Sequence, residues 1–566
     1  MRQIISFYLL AVTLAASALA QPTIGSLVNS ASDAQIPVDS GKHPIGKNVI
    51  AQGSIFSLYG TGVGPATLTY PPGLPLPTSV PAVNGTSISI SSGGQKFDAY
   101  IVAVNATQAN AILPSNTPVG DATVTLTFNG KTSAPFPISV IESRVGIFTT
   151  NSQGFGTVAA QHSSDSSAVL LSKAAHPGEI IVLYGTGLGP ITTADNVAPG
   201  TVQVGSDVIV TIAGQAVKPT YAGRAPSFAG EDQIDVQIPA NVDTGCYVPV
   251  SVTASGQVSQ DFVLPIAKAG SDACTHIFGL SASALAKLDS PGGTVNVGLF
   301  QVLSGYAPSL GGAVQGAGGL FDDADATAVF NLYNKIPVAY GAVVYPSPLN
   351  SCVVIDQVIT SGGFNLPDIQ SIGGTELIAN PVTLKITGPG NVSANIFRAQ
   401  SGGGYVAPFI PPILGAGTWT ISDSTGGADV GPFNAAITLP GNLLWTNAGN
   451  FSSVPNSDLT IVWSGGTTPS NPIVNIYGNS TIVNPTDPSK SRAKSFYCSA
   501  PASAGKFVVP ASVRAQLPHA ASGESSFGSL GIASGGFASF TAPLTKGTLD
   551  AGVIDYGEAY ILSVAY

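Results

Sequence analysis

The 566-residue chain reads as all-β: tandem immunoglobulin-like β-sandwiches followed by a β-rich C-terminal region. Charged residues make up only 9% of it, against roughly 25% in an average soluble protein, while 67 Gly and 43 Pro favour turns and strands over helices. Residues 54–65, SIFSLYGTGVGP, share eight of twelve identities with residues 179–190, EIIVLYGTGLGP, at an offset of 125. Short runs alternate apolar and polar residues between turn signals, the pattern of half-buried strands in a sandwich.

The chain opens MRQIISFYLLAVTLAASALAQP: a basic residue, Arg2, an apolar run from Ile4 to Ala16, and small residues at Ala18 and Ala20. That is a signal-peptide pattern over residues 1–20, with the mature chain expected from Gln21. The apolar run is shorter than the roughly 18–20 residues a span needs, and no later segment is long and apolar enough for a transmembrane helix. An exported protein is expected, in the periplasm, at the cell surface or secreted. The net charge of −10 offers no basic stripe for nucleic acid.

Two Ig-like repeats are expected at 21–143 and 144–276. QANAILPSNTPVG (108–120) faces QIDVQIPANVDTG (233–245) at the same offset of 125, and VTLTFNG (124–130) faces VSVTASG (250–256) with one residue inserted. Val124, Leu126 and Phe128 alternate with threonines, as Val250 and Val252 do with Ser251 and Thr253; the NG at 129–130 and SG at 255–256 read as hairpin turns. The glycine-rich loops do not read as phosphate cradles. A Walker loop needs Lys and Ser/Thr where Pro65 and Pro190 stand, and no helix follows to offer its N–H groups. Gly60, Gly62, Gly64 and Gly185, Gly187, Gly189 are therefore expected to supply tight-turn dihedrals as an apolar strand leaves its sheet.

LYGTGLGP, the preceding HPGEIIV, the QIDVQIP strand and the CYVPVSV segment resemble an Ig-like, IPT/TIG-like tandem repeat of secreted acidobacterial proteins, usually labelled an uncharacterised C-terminal domain. The resemblance covers about residues 23–275 and is better in the second unit; the first has NAILP in place of the fuller strand and lacks a counterpart of Cys246. It implies an extracellular Ig-like structure and brings no catalytic residues with it.

Residues 277–566 do not repeat the pattern and read as one or two β-rich domains, with SGGGYVAPFIPPILGAG (401–417) a loop or internal boundary. LSASALAKL (280–288) reads as a short helix, and DDADATAVFNLY (322–333) as a helix or strand. The alternating YILSVAY at 560–566 also fits the closing strand of an outer-membrane barrel, but a final sandwich strand is the simpler reading. Cys246, Cys274, Cys352 and Cys498 form no CxxC pair; of three possible pairings, proximity favours Cys246–Cys274, leaving Cys352–Cys498.

No catalytic signature is legible. The five histidines, His43, His162, His176, His276 and His519, have no metal-ligand spacing and read as surface or loop residues, and no G-x-S-x-G elbow occurs. Asp322, Asp323, Asp325, Asp423 and Asp429 are acid candidates by existence alone, and DDAD lacks the glycine and terminal glutamate of a calcium loop. No metal and no cofactor is expected. Trp419 and Trp463 lie inside alternating strands and read as core, whereas Trp445, in LLWTNAGN, is the candidate for an exposed ring that stacks on sugar. The expected role is non-enzymatic: structure, adhesion or recognition at the cell surface or outside the cell, toward an unknown extracellular protein or polysaccharide. The alternative is a secreted carbohydrate-binding or carbohydrate-active protein with the repeats as spacers.

Overall fold

The computed structural model describes residues 21–32, 48–78, 85–307, 312–335, 350–357, 374–399, 403–466, 473–483 and 491–565, apart from single residues at 153, 155, 206, 261, 277, 278, 291, 442, 455 and 456. The signal-peptide reading of 1–20, His43 and Tyr566 lie outside them.

Repeat 1 is a two-sheet sandwich. One sheet runs Thr23–Asn29, Ile55–Thr61, Gln108–Ile112, Tyr100–Val104; the other runs Val49–Ala51, Phe136–Ile141, Gly120–Phe128, Thr86–Ser92, Gln95–Asp98. The inward residues of each alternating strand, among them Leu58, Ile88, Ile90, Val124 and Leu126, meet in one apolar core. Repeat 2 builds the same layers: Ile180–Thr186 and Asp232–Gln237 in one sheet, Val208–Ile212 and Gly245–Ala254 in the other, over a core containing Leu183, Val210, Val236 and Val252. The duplication extends to register. Phe56 faces Ala111 in repeat 1, and Ile181 faces Val236 in repeat 2, each pair shifted by 125. Both hairpins form at the anticipated dipeptides, with Asn129 and Gly130, then Ser255 and Gly256, all at positive φ as a two-residue turn requires.

The C-terminal region opens with helix α1 (Ala282–Leu288), capped by Ser281, whose hydroxyl accepts from the Ala284 amide. The segment 322–333 splits: strand through Asp325, then helix α2 (Ala326–Lys335), with the Asp325 carboxylate accepting from the Ala328 amide. These helices pack against Thr294–Ala307 and Gly312–Asp325, neighbours in a sheet of 13 strands among the described residues. At its centre Ala551–Ser563 pairs in parallel with Thr294–Ala307 and antiparallel with Ser525–Ser539. The sheet is open along the described residues, ending at Ser351–Gln357 and Phe433–Leu439, so it is not a closed barrel there. The last long strand is thus central, between two neighbours.

One end of the sheet folds back over the central strands and buries Phe300, Phe321, Phe433 and Phe540, whose ring centroids lie 5.0–6.0 Å apart. Gly298 and Gly319 make this possible: a Cβ on either would strike the phenyl rings of Phe321 or Phe300. At the other end a three-stranded sheet (Leu444–Trp445, Leu459–Ser464, Lys506–Val509) closes a second core. Both disulfides are present. Cys246–Cys274 clamps the end of repeat 2, and Cys352–Cys498 joins directly opposed residues of neighbouring strands.

Candidate functional site

The duplicated loop has a structural task in repeat 2. Thr186, fully buried, accepts the Ile55 amide of repeat 1 at 2.8 Å and donates to the Gly230 carbonyl at 2.8 Å. The Gly189 carbonyl accepts from Arg224 Nη2 at 2.8 Å, and the same nitrogen reaches the Gly53 carbonyl of repeat 1 at 3.1 Å. Arg224 is paired with Asp232, both buried, and Asp232 also accepts the Leu188 amide. From the other side, Asp195 accepts the Ser115 amide at 2.8 Å and its hydroxyl at 2.6 Å. In a chain with few charges, an Arg and two Asp buried at one seam mark a built junction, in which Asp232 pairs with Arg224 and Asp195 with Ser115.

The six glycines divide by purpose. Gly62, Gly187 and Gly189 hold positive φ, as anticipated. Gly60, Gly64 and Gly185 do not; there a Cβ would collide with Thr23, Val104 or the Gly146 carbonyl, so close approach rather than turn geometry selects glycine. In repeat 1 the loop leaves Thr61 and Gly62 exposed, and 125 residues before Arg224 and Asp232 stand Ala99 and Thr107, which cannot rebuild the junction.

A second junction uses the opposite end of repeat 2. Asp289, just after α1, accepts the Leu171 amide at 3.0 Å and both the amide (2.8 Å) and hydroxyl (2.6 Å) of Ser172. Beside it opens a partly enclosed cleft of about 300 Å³ between repeat 2 and the two helices. Repeat 2 contributes Thr150, Asn151, Ser152, Thr157, Val169 and Leu170; the helices contribute Leu288, Asp289, Thr327 and Phe330. A shallower groove lies on the second sheet of repeat 1, with Ser91, Asp121, Thr123 and Ser139 along it.

Trp445 is not an exposed platform. It is 4% exposed, stacks on Phe451 at 5.6 Å and donates its indole N–H to Asn447. Its strand pairs Trp445 with Trp463, so both indoles close the core beneath the three-stranded sheet. Polar neighbours in sequence misled the reading; strand register decides the burial. Trp419 and Trp463 are core, as expected.

Two histidines also depart from expectation. His162 is buried with Nδ1 2.5 Å from Glu179, and His276 is buried against the Tyr247 hydroxyl at 2.7 Å, where burial pushes its pKa down to about 3. The acidic candidates are dispersed. Asp423 and Asp429 accept from the amides of Thr425 and Ile378. Asp322 lies in register with Glu376, and burial with the Asp323 and Glu376 charges raises it to about 6, but Glu376 is already engaged by Arg398 and the Gly404 amide. Among the described residues, no group of three or more His, Cys, Asp or Glu could hold a metal ion. No described helix is long and apolar enough to cross a membrane.

No protein-family model matches the chain, and no curated protein matches it. Among solved structures it is similar to the surface glycan-binding protein PbSGBP-B from Prevotella bryantii, at 10% identity and TM-score 0.14, covering 42% of this chain and 41% of that one. A tetra-tandem repeat from the extending region of a large adhesion protein matches at 12% identity and TM-score 0.12, covering 91% and 98%. Domains 5–6 of the S-layer protein SbsC match at 9% identity and TM-score 0.15, covering 44% and 99%. TM-scores this low carry no argument about role; the tandem sandwich rests on the strand pairing above.

Proposed function

We propose that this chain is an exported, non-enzymatic Ig-like repeat protein with a structural, adhesive or recognition role at the cell surface or outside the cell. The observation that carries the reading is the pair of polar junctions, one buried and one half-buried, by which repeat 2 is hydrogen-bonded to repeat 1 and to the C-terminal region, an arrangement that suits a stiff scaffold. In this reading residues 1–20 are a signal peptide, 21–143 and 144–276 the repeats, and 277–566 the presented module. The pairing of all four cysteines supports an oxidising compartment. So does the resemblance to IPT/TIG-like repeats of secreted acidobacterial proteins.

The test is retention of purified 21–566 on isolated cell envelopes and on insoluble polysaccharides. Saturable retention with the polysaccharide left intact is expected. Release of new reducing ends overturns the non-enzymatic reading, and retention on neither overturns the surface role. A second reading, carbohydrate binding, is favoured by the cleft at the second junction, whose one ionisable residue among the described lining, Asp289, accepts from two backbone amides and a hydroxyl.

A further inference from the structure

We infer that the cleft between repeat 2 and helices α1 and α2 is a binding site for a neutral sugar, of one or two rings. This deepens the carbohydrate-binding reading and rests on it. The lining is amphipathic in an ordered way. Val169 and Leu288 supply buried apolar lining and Phe330 a half-buried one, whereas Thr150, Ser152 and Thr327 line it as exposed residues. A pyranose ring has the same division, with C–H groups on its faces and hydroxyls around its edge.

Charge narrows the ligand class. Among the described lining residues there is no Lys, Arg or His, so a phosphate or carboxylate finds no counter-ion among them. Asp289 has Oδ1 on the Leu171 amide and Oδ2 on the Ser172 amide and hydroxyl, so its carboxylate is held in place as part of the junction by three neutral donors. The hydroxyls of Ser152 and Thr327, both exposed residues, exchange hydrogen bonds with an uncharged polyol.

The site is also pre-formed, which reduces the ordering cost of binding. The Leu171 carbonyl accepts the Cys274 amide, the Ala174 amide reaches the Asp272 carbonyl, and Cys274 is tied to Cys246, so the repeat-2 wall is held from behind. Within the repeat-2 side, Thr150 donates its hydroxyl to the Thr157 carbonyl, and Ser152 sits at φ 55°, a left-handed conformation uncommon for serine. Strain of that kind persists where surrounding structure enforces it, commonly at ligand clamps.

The experiment is calorimetric titration of 21–566 with neutral cello-, xylo-, manno- and malto-oligosaccharides, with oligogalacturonate and chitosan oligomers as charged comparators. Thr327→Trp and Thr150→Trp fill the cleft from opposite walls at exposed positions, and each is checked for an unchanged circular-dichroism spectrum. At least one neutral series should bind with one site per chain, with either variant weakening it about tenfold or more and the charged oligomers failing. Absence of binding by every neutral series at millimolar concentration overturns the inference, as does binding that both variants leave unchanged. Envelope retention is measured on the same proteins. If it persists while the sugars fail, the inference falls and the surface role stands; if sugars bind in the cleft and polysaccharide is cut, the inference stands and the non-enzymatic reading falls.

Discussion

Asp555 lies on the central strand of the large sheet, half-buried: its Oδ2 accepts from Gln301 at 3.2 Å, and its Oδ1 is shut off from solvent. Burial pushes its pKa up to about 8, from an ordinary value near 4. The folded chain therefore keeps a proton that the unfolded chain has lost. This contribution to stability is complete below about pH 4 and fades as pH rises through about 8. His276 has the opposite sign, since its depressed pKa withdraws stability only as pH falls below about 6.5 toward 3. Asp555→Asn removes the first dependence without touching the second. Urea midpoints for the variant should lose less between pH 5 and pH 8.5 than those of the parent; an equal loss would show that Asp555 is already ionised in the fold. At this scale the sequence was least legible. Nothing around Asp555, Arg224 or Asp289 in the linear order announces its setting, because partners of the three lie 254, 171 and 118 residues away.

Strands and turns were the most legible elements where alternation is clean and a local dipeptide sets the reversal, as in 124–130 and 250–256. The long strands Gly312–Asp325 and Ser525–Ser539 carry no such alternation, being rich in glycine, of which Gly319 makes room for Phe300 and Gly531 for Tyr477. Their pairing follows from which rings lie opposite, information that linear order does not hold. The Cys352–Cys498 bridge fastens the edge strand Ser351–Gln357 to its neighbour across a separation of 146 residues. Replacing both cysteines by serine should lower stability by about 2–4 kcal/mol. Hydrogen exchange should localise the change, with amides of 351–357 and 492–501 losing protection while the hairpin at 255–256 keeps its own. Equal loss in both places would mean that the bridge acts on the whole chain through the unfolded state.

For the whole molecule, the decisive feature is how its blocks are joined. The repeat signal in sequence announced two sandwiches, and the offset of 125 shows why it could not announce their docking: Arg224 and Asp232 have no counterpart in repeat 1. Arg224→Met strands the buried Asp232 charge and should cost about 3–5 kcal/mol, of which a paired Asp232→Leu recovers part. Small-angle scattering should fit one arrangement for the parent and a broadened distance distribution for Arg224→Met. A single rigid arrangement in the variant would show that the seam holds without its ion pair. The placement of Ala551–Ser563 between Thr294–Ala307 and Ser525–Ser539 has a temporal meaning as well. During synthesis, two long strands emerge with one hydrogen-bonding edge each left open until residue 563 has been made, and open edges invite pairing with foreign strands. The repeats can fold while translation continues, but the large sheet has to wait for nearly its last residue, so a ribosome stalled before residue 551 yields an adhesive intermediate rather than a shortened protein.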